Sequence, residues 1–139
     1  MSVTPAEIVE RFVDRINAHD VEGLVRLMTD DHLFVDSLGQ TVRGREAMRR
    51  AWMAYFDWMP DYLIQVECRL ACGEVTGLFG RASGTYAVGG ELRGENRWTV
   101  PAAWRATVRE GLVAEWQVYA DNKPVYEIIS RGTKTGGSG

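Results

Sequence analysis

Within the stretch TPAEIVERFVDRINAHD, apolar residues recur at helical spacing: Ile8, Val9, Phe12, Val13 and Ile16 share one face, while Glu10, Arg11, Asp14 and Arg15 occupy the rest. Thr4 stands before Pro5, and Glu7 follows three residues after Thr4, which is the order of a capped helix start with proline at the first helical position. After Asp20, the run VEGLVRLM predicts a second, short helix that contributes Val21, Leu24, Val25, Leu27 and Met28. HLFVD is too short for a helix, and its alternation places His32, Phe34 and Asp36 on one side with Leu33 and Val35 on the other. Gly39 and Gly44 then punctuate a turn. A broad stripe of Ala47, Met48, Ala51, Trp52, Tyr55, Phe56 and Met59 predicts a third helix, ended by Pro60.

From residue 62 the period changes to two. Tyr62, Ile64, Val66, Cys68, Leu70 and Cys72 alternate with Leu63, Gln65, Glu67, Arg69 and Ala71, and further strand-like segments follow, separated by turn glycines in the manner of an antiparallel meander. Pro101 lacks a ladder donor, which argues for an edge or a bulge at that point. By parity Trp98, Val100, Ala102, Trp104 and Ala106 share one side of their strand and Arg97, Thr99, Ala103, Arg105 and Thr107 the other; alternation does not say which side is concave. Helices first and a meander afterwards predict an α+β domain in which N-terminal helices pack in a strongly curved, mostly antiparallel sheet, forming a cone with an internal pocket. One domain over residues 1–130 is expected, with 131–139 (RGTKTGGSG) as a disordered Gly/Ser-rich tail.

Composition narrows the partners. The 139 residues are 45% hydrophobic and 25% charged, as in an ordinary globular chain able to bury a core. Sixteen basic and nineteen acidic residues leave a formal charge of −3 with both signs interspersed, so there is no basic stripe for nucleic acid and no polybasic patch for a membrane surface. No apolar run approaches a bilayer span and the amino terminus lacks the order of a secretory signal, which gives a cytoplasmic expectation. Cys68 and Cys72 would lie roughly 13 Å apart on an extended strand, beyond disulfide reach, and are expected as buried thiols. Neither they nor His19 and His32 form a metal-ligand cluster, so no metal or cofactor is expected.

INAHDVEGLVRLMTDDHLFVDSLG, followed by VRGREAMRRAW, resembles the opening of the SnoaL-like and ketosteroid-isomerase-like branch of the nuclear-transport-factor-like superfamily, and the closing LVAEWQVYADNKPVYEII is similar too. The resemblance covers roughly residues 5–130 and implies a cone-shaped domain with a mostly apolar pocket, a small hydrophobic ligand or substrate, and a homodimer formed through the outer sheet face. It further implies that Asp36 falls where the isomerase carries its aspartate general base. The same side-chain oxygens equally suit a turn cap on the amides near Leu38 and Gly39.

The other isomerase positions depart from the pattern: its first-helix tyrosine appears as Phe12, and its second acid falls near Ala102 or Ala103. Tyr55, or an indole of Trp52, Trp98 or Trp116, would then supply a donor, against the ordinary use of aromatics as core filling. Likeness to limonene-epoxide-hydrolase-like relatives matches Asp121 to their last-strand acid and Arg81 to their arginine, while Ser83 stands where a second acid would be. Asp121 also resembles the last-strand acid of SnoaL-like cyclases; as a strand-end residue it equally suits the DNKP turn. His32, on the side of Asp36, could tune that carboxylate or serve as a satisfied structural histidine. The candidate set is therefore Asp36, His32, Asp121 and Tyr55 for acid–base work, with Phe12, Phe34, Trp52, Trp98, Trp116 and Arg81 around the ligand. Two classes of function remain: an enzyme performing isomerase, cyclase or epoxide-hydrolase-like chemistry, or a module that binds a hydrophobic molecule or only dimerises.

Overall fold

A computed structural model describes residues 3–137, with side chains described through residue 131. Helix α1 (Pro5–Asn17) begins where the capping pattern requires, with Thr4 Oγ1 accepting from the Glu7 amide at 3.2 Å. Helix α2 (Val21–Arg26) is capped by Asp20, whose Oδ1 accepts from the Gly23 amide at 2.9 Å. Strands β1 (Met28–Val35) and β2 (Thr41–Arg43) flank the glycine turn, and α3 (Arg45–Trp58) follows. Strands β3 (Leu63–Cys72), β4 (Val75–Thr85), β5 (Arg97–Arg109) and β6 (Leu112–Ala120) form the meander. Helix α4 (Lys123–Gly137) closes the chain and extends past the boundary at residue 130 expected from composition; residues 138 and 139 of that tail lie outside the described residues.

The sheet order is β2-β1-β6-β5-β4-β3, antiparallel throughout except where β1 runs parallel to β6. The sheet is strongly curved and unclosed, with the helices in its hollow, as expected of an α+β cone. Parity along β5 resolves the open question of its faces: Trp98, Val100, Ala102, Trp104, Ala106 and Val108 are buried in the hollow, while Thr99, Pro101 and Arg105 face outward. Pro101 lies in a stretch of β5 bonded only to β4, because pairing with β6 begins at Ala102; its missing amide therefore falls on a locally unpaired side.

The expectation of buried thiols is overturned. Cys68 and Cys72 are both exposed, because a bulge between Val66 and Cys68 breaks the alternation and β3 beyond it runs as an exposed edge strand. Before the bulge β3 is tied to α1: the Asn17 amide group donates to Ile64 O at 2.9 Å and accepts from Ile64 N at 2.8 Å. Phe12, wholly buried, packs its ring 5.0 Å from Trp116, which itself lies 6.4 Å from Trp104. Helix α1 thus fills one end of the cone with solid core. Helices α3 and α4 cover the other end, and a hollow remains beneath them.

Candidate active site

The hollow is a cavity of about 310 Å³. Strand β1 supplies Phe34 at its end, helix α3 supplies Met48, Trp52 and Tyr55, and the concave sheet face supplies Tyr62, Trp98 and Trp116. Helix α4 contributes Val125, Tyr126 and Ile129, which recur at helical spacing and form an amphipathic signal that strand periodicity alone passed over. Phe34 meets Trp52 edge-on at 6.4 Å, and Tyr62 lies 6.1 Å from Trp98, so the walls brace one another. Asn122 Nδ2 donates to Ser37 Oγ at 2.9 Å and ties the end of β1 to the start of α4 at the cavity rim.

Asp36 stands on this wall, half-buried. Its backbone bonds across the turn, with its amide donating to Gln40 O at 2.9 Å and its carbonyl accepting from Gly39 N at 3.0 Å. Its Oδ1 accepts from the amides of both Leu38 and Gln40, each at 2.9 Å. Gly39 provides the positive φ of 81° that lets the chain double back there. The turn-capping and cavity-facing readings are therefore both realised: Oδ1 is held by the backbone, and Oδ2 has no partner among the described residues. Among the described residues that line the cavity, Asp36 is the only Asp, Glu, Lys, Arg or His.

Several sequence candidates lie elsewhere. His32 is fully buried beneath α1, its ring 6.0 Å from Phe12, and it neither lines the cavity nor bonds Asp36. Its Nδ1–H donates to Val113 O at 2.7 Å, which leaves Nε2 as an acceptor with no donor. Burial lowers its pKa, and the Val113 carbonyl only partly offsets this. Alternate residues on a strand share a face, but over the four residues from His32 to Asp36 that face passes from beneath α1 to the open end of the cone.

Asp121 is exposed outside the cavity, and its Oδ1 accepts from Lys123 N at 3.0 Å as the DNKP turn requires. Arg81 points from the outer face of β4 and pairs with Glu67 at 3.4 Å, with both side chains more than half exposed. Odd-numbered positions of β4 in this segment face away from the hollow, so Ser83 cannot join a constellation with Asp36 either. Phe12 belongs to the core rather than to the cavity wall.

Tyr55, Phe34, Trp52, Trp98 and Trp116 line the cavity. Tyr62 joins them, a residue that the alternation placed only in a strand. Burial raises the pKa of both phenols, well above the ordinary tyrosine value for Tyr55, with Tyr62 and Tyr126 adding smaller contributions there. Both remain protonated donors at neutral pH. The arrangement offers one fixed carboxylate, neutral donors and aromatic walls: the means to move a proton on an organic molecule.

The structure is similar to that of IdmH, a candidate polyketide cyclase from Streptomyces antibioticus, with TM-score 0.75 and 19% identity over 92% of this chain and 99% of that one. A candidate SnoaL-like polyketide cyclase from Jannaschia sp. CCS1 gives TM-score 0.78 and 22% identity over 91% of each chain. A protein of ketosteroid-isomerase-like fold from Catenulispora acidiphila DSM 44928, solved in complex with trimethylamine, gives 0.70 and 20% over 84% of this chain and 86% of that one. These likenesses show the fold. No curated protein matches the sequence. The SnoaL-like domain profile matches residues 9–116, most of the chain and every element from α1 to the middle of β6, and the chain belongs to the SnoaL-like family.

Proposed function

We propose that this protein is a small enzyme of SnoaL-like type that performs acid–base chemistry, without a cofactor, on a compact apolar substrate held in the cavity. One observation carries this reading: a carboxylate with one oxygen fixed by two amides and the other unpartnered stands on an otherwise uncharged, aromatic wall. A base held in fixed geometry beside water-poor walls is placed to take a proton from carbon or from water, whereas a freely rotating one spends entropy on alignment. The cavity volume, near the lower end of the roughly 300–1,000 Å³ common for small-molecule sites, suits a molecule of one to three rings. The test is turnover of an enolisable ketone, and of an epoxide, by the protein and by Asp36→Asn. Loss of about 10²-fold or more in the variant supports the role; equal turnover of every substrate found removes it.

A second reading, a carrier that holds a hydrophobic molecule unchanged, is favoured by the absence of His32 and Asp121 from the cavity, which leaves Asp36 without a second carboxylate or an imidazole there among the described residues. A molecule recovered unaltered from the denatured protein, together with no turnover, would support that alternative.

The outer sheet face suits pairing of two copies. Phe79 lies opposite Cys68 on β3 and Ala103 on β5, Ala103 lies opposite Tyr119 on β6, and Phe79 and Tyr119 are 44% and 48% exposed. This apolar row crosses four strands, and homodimerisation through it accompanies the proposed function.

A further inference from the structure

We propose that the ligand of the cavity carries an alkylated ammonium group, with the Asp36 carboxylate as its counter-ion and the surrounding aromatic rings as the walls that receive its N-alkyl surface. This rests on the cavity being the working site, as proposed above, and adds the charge and chemical class of the group that the otherwise apolar molecule brings to Asp36.

Charge comes first. Asp20, Asp30, Asp31 and Asp61 each pair with an arginine, at 3.1 to 3.8 Å. Asp36 is half-buried, yet it forms no ion pair among the described residues, and only its Oδ1 accepts hydrogen bonds. No Lys, Arg or His stands among the described residues that line the cavity, so the hollow holds one negative charge with nothing to offset it. A carboxylate drawn partly out of water without a counter-ion is costly, and a cation in the hollow removes that cost. An anionic ligand would meet Asp36 with no positive side chain beside it, and a neutral one would leave the charge uncompensated.

The walls point the same way. Eight of the twenty described residues that line the cavity are aromatic, so ring surface dominates what a ligand touches. Phe34 meets Trp52 at 66°, Trp52 meets Tyr55 at 85°, and Tyr55 meets Tyr62 at 88°. Successive rings set nearly at right angles cannot all turn their edges to one point, so ring faces with their negative π density are presented to the hollow. Such faces attract cations. Carboxylate and rings come from separate elements: Asp36 follows β1, Trp52 and Tyr55 belong to α3, and Trp98 belongs to β5.

The same geometry selects among cations. A metal ion or a primary ammonium gives up a hydration shell that takes several oxygens to replace, whereas the hollow offers one unpartnered carboxylate oxygen set among rings. An alkylated ammonium spreads its charge over C–H surface, for which ring faces are the fitting partner. The cavity of about 310 Å³ admits such a head together with one further ring. Ion pairing and proton transfer make the same demand on Asp36, an oxygen free to face the ligand, so the counter-ion role accords with acid–base work at this carboxylate.

The test compares benzyltrimethylammonium with neopentylbenzene, which has the same shape with carbon in place of nitrogen, by calorimetric titration of the full chain. The cation is expected to bind about tenfold more tightly, and Asp36→Asn is expected to remove most of that preference while the hydrocarbon affinity stays within about twofold. Replacing tryptophan throughout by 5-fluorotryptophan weakens the ring faces and is expected to lower the cation affinity alone, by about threefold. Thermal unfolding of both altered proteins confirms that they fold. If the native protein binds the hydrocarbon as tightly as the cation, or if Asp36→Asn leaves the preference unchanged, the counter-ion assignment is overturned while the cavity stands. An unchanged cation affinity in the fluorinated protein overturns the role of the rings. Cation preference in a protein that turns over neither a ketone nor an epoxide supports this inference together with the carrier reading. If neither ligand binds at all, the cavity reading fails and this inference with it.

Discussion

Asp36 and His32 are four residues apart in positions of the same strand parity, yet one can act on a ligand and the other cannot. At Asp36 the turn uses a single oxygen, so Asp36→Asn retains an acceptor for the Leu38 and Gln40 amides and should unfold within about 0.5 kcal/mol of the native protein, whereas Asp36→Ala should lose about 1 kcal/mol. Urea denaturation of both variants, set beside their turnover, separates the turn from the chemistry. His32 makes the opposite prediction. Its imidazole is held neutral in the fold by burial and binds a proton more readily when unfolded. Stability due to this group is therefore complete above the unfolded value of about 6.5 and declines as pH falls below it, until the folded group itself titrates. The urea midpoint should fall between about pH 7 and pH 5, and His32→Gln should fall less steeply over that window. Equal slopes would mean that His32 does not set the acid limit.

Among the elements, those with a strong period were legible and those that depend on neighbours were not. Helices α1 to α3 follow from the Thr4 cap, the apolar stripes and Pro60, all local features. The bulge at Cys68 and the face carrying Arg81 were not legible, because each depends on register with a partner strand. Helix α4 was missed although Val125, Ile128 and Ile129 carry its spacing, since the glycine-rich residues after them dominated the compositional reading. Gly80 shows how tightly the register is held: a Cβ there would lie 1.9 Å from the carbonyl oxygen of Gln65 on β3. Gly80→Ala must displace the β3 backbone and is expected to cost about 2–3 kcal/mol, read as a shift in urea midpoint. A loss below about 0.5 kcal/mol would show that β3 yields freely at its bulge.

At the scale of the whole molecule, the cavity exists because α1 fills only one end of the curved sheet. Phe12→Ala, at the filled end, should cost about 3–5 kcal/mol while leaving ligand affinity nearly intact in whatever fraction remains folded. Thermal unfolding with and without ligand separates the two effects. The outer face predicts assembly: light scattering should give twice the 15.6 kDa chain mass, and Phe79→Asp with Tyr119→Asp should give a single chain. A native protein that remains a single chain at micromolar concentration would leave the apolar row without a function.

Periodicity, caps and turn glycines by themselves determined helices α1 to α3, the meander, the two alternating sets of residues along its strands and Asp36 as the acid beside the first turn. These are properties of adjacent residues, whose side-chain directions repeat along the backbone. Only the tertiary structure decided which set faces the hollow, that His32 lies beneath α1, that Asp121 and Arg81 point away, and that Tyr62 meets Tyr55. Such facts depend on where the sheet bends and which helix covers each part of it, and that is settled by contacts between residues far apart in the chain.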